Sequence, residues 1–229
     1  MYLTETHLHT YPTSGCSKFS PREAVERYRA AGYHTLFITD HFSKRFGFDT
    51  ELSWEGKLDL FFAGYEEAKT IGEAFGMCIL PSMELTLKTS RNDYLLYGVT
   101  KTFFLDKPHV FEMTPQEVYT IAREAEIFVV QAHPMRDQKC VPTPDAADAF
   151  EAVNTNPRHE NFDAEVTAIA KAHGLFITSG SDAHRPEDVA RGGIMTEQPI
   201  HSVADYINAL KTGACQMIGG YLPYDISDQ

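Results

Sequence analysis

The stretch that decides the fold is Tyr2-Leu3-Thr4-Glu5-Thr6-His7-Leu8-His9, at the start of a chain of 229 residues. Residues Tyr2–Leu8 have the length and composition of a β-strand. The strand ends in a His-x-His pair, and side chains two positions apart on a strand point to the same side. We therefore expect His7 and His9 to project together into one cavity.

Six further short apolar runs have the features of strands. They are Thr35–Thr39, Met77–Pro81, Tyr94–Val99, Ile127–Gln131, Phe150–Val153 and Leu175–Thr178. Several of them carry apolar side chains at successive positions, as strands buried on both faces do.

Helical segments lie between most of these runs. Two begin at a capping box with proline in the first turn, Ser20-Pro21-Arg22-Glu23 and Thr114-Pro115-Gln116-Glu117. Amphipathic spacing predicts three more, over 54–75, 162–172 and 203–210. This alternation predicts a parallel sheet with crossover helices. With about seven strands, we expect a closed or nearly closed α/β barrel.

The chain shows no internal repeat, low-complexity segment or linker, and its length suits a single large domain. We therefore predict one domain over 1–229.

Residues that can bind metals follow the predicted strands. They are His7 and His9 after the first strand, Asp40 and His41 after the second, Glu84 after the third, His133 after the fifth, and Asp182 and His184 after the seventh. The carboxyl ends of the strands of a parallel barrel meet on one face, where active sites lie. Five of the ten histidines are therefore predicted to share that face.

This combination of imidazoles and carboxylates indicates a metal cluster. Zn²⁺, Mn²⁺ or Fe²⁺ suits mixed nitrogen and oxygen ligands better than Ca²⁺ does. The ligands are too many for one tetrahedral zinc, and Glu84 is the natural bridge between cations. Two or three such ions would polarise a phosphoryl oxygen and lower the pKa of a bound water, giving hydroxide near neutral pH.

Charge and composition restrict the partners. The net charge of −12 argues against a general nucleic-acid or anionic-membrane binder, but a metal cluster would still attract a small phosphorylated substrate. No leader-like N-terminus or apolar run of about 18 residues is present. The four cysteines are widely spaced, so we expect a reducing cytoplasm.

The motifs as a set resemble the PHP (polymerase and histidinol phosphatase) domain family. The matching pieces, in the order of the family, are His7-Leu8-His9-Thr10, Ile38-Thr39-Asp40-His41, Met83-Glu84, Ala132-His133-Pro134, Val153-Asn154 and Gly180-Ser181-Asp182-Ala183-His184. They cover most of the chain, from about residue 7 to residue 184.

The resemblance implies a distorted, TIM-like (β/α)7 barrel with up to three metals. By position, one metal would take His7, His9, Glu84 and Asp182. A second would share Glu84 and take His133, and a third would take His41 and His184.

Members of this family hydrolyse phosphate esters, so the resemblance implies a phosphatase or phosphodiesterase similar to histidinol phosphatase. Metal-bound hydroxide would attack phosphorus, with Asp182 and His184 in the catalytic centre. Among several arginines on this face, Arg136 is the first choice for binding the substrate phosphate.

Two positions depart from the family pattern. Many members have a further Asp or His soon after the His-x-His pair, where this chain has Cys16 as a possible substitute ligand. Many also have a His near the fourth strand, where this chain offers only Asp93.

Alternative functions remain open. An amidohydrolase-type barrel also begins with His-x-His, but it normally needs a lysine or carboxylate bridge on the fourth strand, and Tyr94–Val99 contains no lysine. A non-catalytic, metal-binding regulatory module is a second alternative. A nucleotide or short oligonucleotide is a possible substrate, and the loops over 42–53 and 137–148 are the expected specificity elements. Substrate, metal identity and oligomeric state are not decided by the sequence.

Overall fold

The computed structural model describes residues 1–46 and 51–219, so part of the predicted specificity loop after His41 lies outside the described residues. The strands are β1 (Tyr2–Leu8), β2 (Tyr33–Ile38), β3 (His41–Phe42), β4 (Cys78–Thr86), β5 (Asp93–Tyr97), β6 (Phe128–Gln131), β7 (Ala149–Asn154), β8 (Phe176–Gly180), β9 (Gly193–Thr196) and β10 (Cys215–Ile218). The helices are α1 (Pro21–Ala30), α2 (Trp54–Ala74), α3 (Lys101–Phe104), α4 (Pro115–Glu124), α5 (Asp163–Ala172) and α6 (Val203–Thr212).

The strands form a nearly closed, barrel-shaped sheet, which confirms the predicted fold class. The strand order is β10-β9-β1-β2-β4-β5-β6-β7-β8, with β3 paired to β4. Strand β1 is parallel to β2, β2 to β4, and β6, β7 and β8 to one another. A parallel bridge between Leu8 and Ala183 links the end of β1 to the segment that follows β8.

The sheet is less regular than the sequence predicts. Strand β5 is antiparallel to both β4 and β6, so its first residue, Asp93, lies at the edge where β4 ends. The antiparallel pair β9 and β10 was not predicted, and it extends the sheet beyond β1. Both strands have only four residues, too few to produce a clear pattern in the sequence.

Both predicted capping boxes are confirmed. At the start of α1, Ser20 accepts a hydrogen bond from the Glu23 backbone, and the Glu23 side chain returns to the Ser20 backbone. Thr114 and Glu117 form the same pair at the start of α4. Such a cap contributes about 1 kcal/mol to helix stability.

An aromatic cluster fixes the segment that carries His41. Phe42 is buried, and its ring lies 4.7–6.2 Å from the rings of Phe46, Trp54, Phe61, Phe104 and Phe111. Burial of one phenylalanine side chain stabilises the fold by roughly 2–3 kcal/mol. Because Phe42 follows His41 directly, this packing holds the His41 backbone beside β4.

Within the described part of the chain, no helix combines the length and the apolar character needed to span a bilayer.

Candidate metal centre

The structure brings all seven predicted metal ligands together at one edge of the sheet. They form three overlapping groups in which the candidate ligand atoms lie within 4.8 Å of one another. The groups are His7, Glu84 and His133; His7, His9 and Asp182; and His9, His41 and His184.

Burial divides the seven side chains into two classes. Glu84, Asp182, His7, His9 and His133 are buried, whereas the side chains of His41 and His184 are 34% and 14% exposed. The cluster is therefore most open beside His41 and His184.

Glu84 lies at the centre of the cluster. Its Oε1 is 3.5 Å from His7 Nε2 and 3.0 Å from His133 Nε2. Its Oε2 is 3.5 Å from His9 Nε2 and 2.7 Å from His41 Nδ1. The pairing of β3 with β4, which places His41 opposite Glu84, explains the last contact. Each carboxylate oxygen thus faces two imidazoles, which is the arrangement expected of a bridging ligand.

Asp182 approaches the same imidazoles from the segment after β8. Its Oδ1 lies 3.2 Å from His9 Nε2, 3.5 Å from His7 Nε2 and 3.4 Å from His184 Nδ1. Asp182 has a φ of 48°, and His133 has a φ of 31°. Left-handed backbone in residues other than glycine costs on the order of 1 kcal/mol, and it concentrates at functional sites.

Several buried atoms in this cluster have no hydrogen-bond partner among the residues that the structure describes. They include His7 Nε2, His9 Nε2 and Glu84 Oε2. A buried polar atom without a partner costs about 1–3 kcal/mol. Divalent cations would satisfy all three atoms at once, and nitrogen and oxygen donors of this kind suit Zn²⁺, Mn²⁺ or Fe²⁺. The residues present therefore fit a metal cluster.

The ionisation of the cluster also suits metal binding. Burial alone would raise the pKa of Glu84 and of Asp182, but neighbouring charges, chiefly His41 and His7 for Glu84 and His7 and Arg136 for Asp182, hold both well below the usual range. Burial, together with repulsion from His184 and His41, lowers the pKa of His9 well below its usual value. The carboxylates are therefore ionised and His9 is neutral, which are the forms that bind metals. Burial opposes protonation of His7 and His41, but neighbouring carboxylates, chiefly Glu151 for His7 and Glu84 for His41, raise the pKa of both rings. A metal that binds these two rings must therefore displace a proton from each.

Sequence reasoning missed the carboxylate that holds His7. Glu151, in the middle of β7, is buried, and its Oε1 lies 2.8 Å from His7 Nδ1. Its Oε2 accepts hydrogen bonds from the His133 backbone at 3.0 Å and from Asn154 Nδ2 at 2.8 Å. A single acidic residue inside an apolar strand was a signal that could have identified it, since a buried charge needs partners.

The loop after β1 is held by Asp40, which is among the residues predicted from the sequence to be able to bind metals but was not assigned to a metal. Asp40 accepts hydrogen bonds from the Thr10 backbone, the Thr10 hydroxyl and the Ser14 hydroxyl at 2.6–2.7 Å. Ser14 in turn lies 3.3 Å from His9 Nδ1 and accepts the His41 backbone N–H at 2.9 Å. Asp40 thus supports His9 and His41 through Ser14.

Arg136 is the arginine that reaches the cluster. It forms an ion pair with Asp182 Oδ2, and its own Nε is buried without a described partner. Arg158 is instead committed to a bidentate pair with Asp188, with both contacts at 2.7 Å. Asp188 also accepts the backbone N–H of His184 at 3.0 Å, so this pair supports the His184 loop.

The two departures from the family pattern lie near the cluster. Burial opposes ionisation of Cys16, but hydrogen bonds with His184 and His41 lower its thiol pKa to about 6. Asp93 accepts a hydrogen bond from Thr86 Oγ1 at 2.5 Å, and burial is the main cause that raises its pKa. Neither residue belongs to the three metal-binding groups found in the described residues.

Comparison with known proteins gives a family match over part of the chain and a shared fold over nearly all of it. The model of a family described as PHP-associated matches residues 159–215, which include Asp182 and His184. No curated protein matches the sequence.

Three solved structures share the architecture. A two-domain protein from Bacteroides vulgatus, containing a predicted PHP-like metal-dependent phosphoesterase, is 14% identical with a TM-score of 0.69; the match covers 97% of this chain but only 66% of that one. PsfC from Pseudomonas syringae is 19% identical, with a TM-score of 0.65 and coverage of 90% and 87%. An amidohydrolase from Chromobacterium violaceum, with bound sulfate and no metal, is 14% identical, with a TM-score of 0.58 and coverage of 99% of each chain. At these identities the likeness shows the fold.

Proposed function

We propose that this chain is a metal-dependent phosphoesterase acting on a small phosphorylated substrate. Its resemblance to the PHP family is supported by the shared fold and by the family model that matches residues 159–215. The observation that carries the proposal is the convergence of seven ligand side chains in three overlapping groups, with Glu84 between four imidazoles. The Bacteroides vulgatus protein, described as PHP-like and phosphoesterase-containing, supports the same class of reaction.

Two or three divalent cations would be held by His7, His9, His41, Glu84, His133, Asp182 and His184. When bound, they would supply Lewis acidity toward a phosphoryl oxygen and toward water. The buried carboxylates Glu84 and Asp182 would neutralise part of the cationic charge.

Arg136 supplies a second positive element for the substrate. Its side chain is 17% exposed, and it is anchored on Asp182 through one terminal nitrogen. The rest of the planar guanidinium fork could then donate hydrogen bonds to a phosphate oxygen, for which its geometry is well suited.

The substrate would enter beside His41 and His184, because these side chains carry most of the exposure of the cluster. We propose that His184 faces the phosphoryl group there. A small substrate, or at most a nucleotide or short oligonucleotide, fits the net charge of −12 better than a long nucleic acid does.

The four cysteines are unpaired, as a reducing cytoplasm would keep them.

The amidohydrolase alternative also has an observation in its favour, since the Chromobacterium violaceum protein shares the fold over the whole chain. In this chain Glu84 of β4 would take the bridging position, and β5 (Asp93–Tyr97) contributes no lysine. The cluster geometry therefore favours the phosphoesterase.

The test is hydrolysis of p-nitrophenyl phosphate and bis(p-nitrophenyl) phosphate by protein reconstituted with Zn²⁺, Mn²⁺ or Fe²⁺, with and without chelator. An N-acyl amino acid panel runs in parallel. We expect chelator-sensitive release of p-nitrophenol that is lost in Asp182→Asn and retained in the control His173→Ala, at the end of α5. Cleavage of an amide without cleavage of either phosphate ester would replace the proposal with the amidohydrolase. Bound metal with neither activity on these probes or on a panel of natural phosphate esters would favour the regulatory module.

A further inference from the structure

We infer that Glu151 is a positioning residue that sets the metal-binding form of His7 and the placement of His133. The inference rests on the metal-binding part of the proposed function, and it adds a residue that is not itself a ligand. Glu151 is buried in β7, and three donors converge on its two carboxylate oxygens.

The contact with His7 determines which ring nitrogen can bind a metal. His7 Nδ1 lies 2.8 Å from Glu151 Oε1, and a carboxylate oxygen is a hydrogen-bond acceptor. The proton of a neutral His7 ring therefore belongs on Nδ1. This leaves the lone pair on Nε2, the atom that faces Glu84 and Asp182 without a hydrogen-bond partner among the described residues. A carboxylate behind a metal-binding histidine commonly fixes the ring in this way.

The second carboxylate oxygen holds another ligand. Oε2 accepts the backbone N–H of His133 at 3.0 Å, at the point where the His133 backbone has a φ of 31°. The His133 ring then places Nε2 3.0 Å from Glu84 Oε1. Both imidazoles of the group His7, Glu84 and His133 therefore depend on one carboxylate.

Gly180 shows that space is kept for this contact. A Cβ atom at position 180 would lie 2.5 Å from Glu151 Oε1 and 2.5 Å from the Cβ of His7. Real Cβ atoms do not approach other atoms so closely, so a side chain at this position of β8 would displace Glu151 or His7. The contact thus depends on a neighbouring strand as well as on Glu151 itself.

Glu151→Gln is the sharpest test because it keeps the shape of the side chain. A glutamine has one acceptor oxygen and one NH₂ group. If the NH₂ faces His7, the ring must accept at Nδ1, which moves its proton to Nε2 and blocks the metal. If the NH₂ faces the other way, it opposes the N–H donors of His133 and Asn154. Asp148→Asn is a matched control, since Asp148 directly precedes β7 and bonds the Val129 backbone and Tyr119, away from the ligands.

The measurement is Zn²⁺ affinity by competition with a chromophoric chelator, together with thermal unfolding of each metal-free protein. We expect Glu151→Gln to bind zinc roughly 10–100-fold more weakly than wild type. Asp148→Asn should bind as wild type does. Equal zinc affinity in wild type and Glu151→Gln would overturn the inference and leave the proposed function standing. Absence of zinc binding by the wild type would overturn both.

A second measurement does not depend on the folding of the variant. Histidine ¹⁵N NMR of the zinc-loaded wild type, with His7 assigned by its loss in His7→Asn, reports which ring nitrogen carries the proton. A proton on Nδ1 supports the inference. A proton on Nε2 contradicts it.

Discussion

Two buried glutamates on β1 and β4 differ in how their charge is accommodated. Glu5 accepts hydrogen bonds from the backbone of Thr6, His7 and Ser181 at 2.9–3.0 Å, and from Tyr28 at 2.7 Å. Glu84 instead faces four imidazoles. Its Oε1 has a hydrogen-bond contact with His133 Nε2 at 3.0 Å. Its Oε2 lies 2.7 Å from His41 Nδ1 but has no contact with hydrogen-bond geometry among the described residues.

The pKa directions differ accordingly. Burial raises the pKa of Glu5 in spite of its hydrogen bonds. For Glu84 the opposing effect of burial is exceeded by the charges of His41 and His7, and the pKa falls well below its usual value. A carboxylate whose oxygens all accept hydrogen bonds, such as Glu5, supports the fold. A carboxylate such as Glu84, with an oxygen that lacks a hydrogen bond and with imidazoles on both sides, indicates a cation-binding site.

The largest effect should follow from Glu84→Gln. Loss of the bridging carboxylate removes several kcal/mol of transition-state stabilisation by the metals. We therefore expect the rate of hydrolysis of whichever p-nitrophenyl phosphate ester the wild type cleaves to fall by about 1000-fold or more. The metal-free variant should also unfold at a lower temperature than wild type, because His41 and His7, whose charges hold the pKa of Glu84 below its usual value, lose their counter-charge. Steady-state kinetics and calorimetry check the two parts. Normal activity in this variant would end the distinction between the two glutamates.

Glu5→Ala should act on stability instead. It leaves the Tyr28 hydroxyl and several backbone N–H groups buried without their acceptor, at a cost of about 3 kcal/mol in the free energy of unfolding. Chemical denaturation measures this loss. The fraction that remains folded should bind the same number of metals as wild type, and a selective loss of metal without destabilisation would show that Glu5 belongs to the centre.

Arg136→Lys sharpens the role assigned to the guanidinium. The lysine keeps the positive charge but cannot donate two parallel hydrogen bonds, so we expect kcat/KM to fall about 10–30-fold with unchanged metal content. A fall in metal content of similar size would mean that Arg136 serves mainly to hold Asp182.

The smallest effect concerns the thiol beside the Glu84 cluster. With a pKa of about 6, Cys16 is mostly thiolate at pH 7 in the metal-free protein, whereas burial raises the pKa of Cys215 to about 11. Iodoacetamide followed by peptide mass spectrometry should find Cys16 labelled at least tenfold faster than Cys215. Equal rates would show that His41 and His184 do not stabilise the thiolate.

The sequence was sufficient where a residue follows the end of a parallel strand. His7, His9, His133 and Asp182 could be predicted to meet because the carboxyl ends of such strands share one edge. The capping boxes were equally local signals and were confirmed.

Prediction failed where the outcome depended on strand direction or on contacts distant in sequence. The alternation of strand and helix does not reveal that β5 is antiparallel, and four-residue strands such as β9 and β10 give no clear period. Glu5 and Glu151 are single acidic residues within strands, and their partners lie up to 176 residues away. Glu84 was predicted as the bridge between cations, but its contact with His41 depends on the register of β3 against β4, which the sequence does not reveal.

The most direct test of the central claim is the metal content of the wild-type protein after reconstitution with Zn²⁺ or Mn²⁺ and removal of unbound ions, measured by elemental analysis. The seven converging ligands predict two or three equivalents per chain, with a clear loss in Glu84→Gln and none in Asp148→Asn. A metal-free wild-type protein under these conditions would contradict the account.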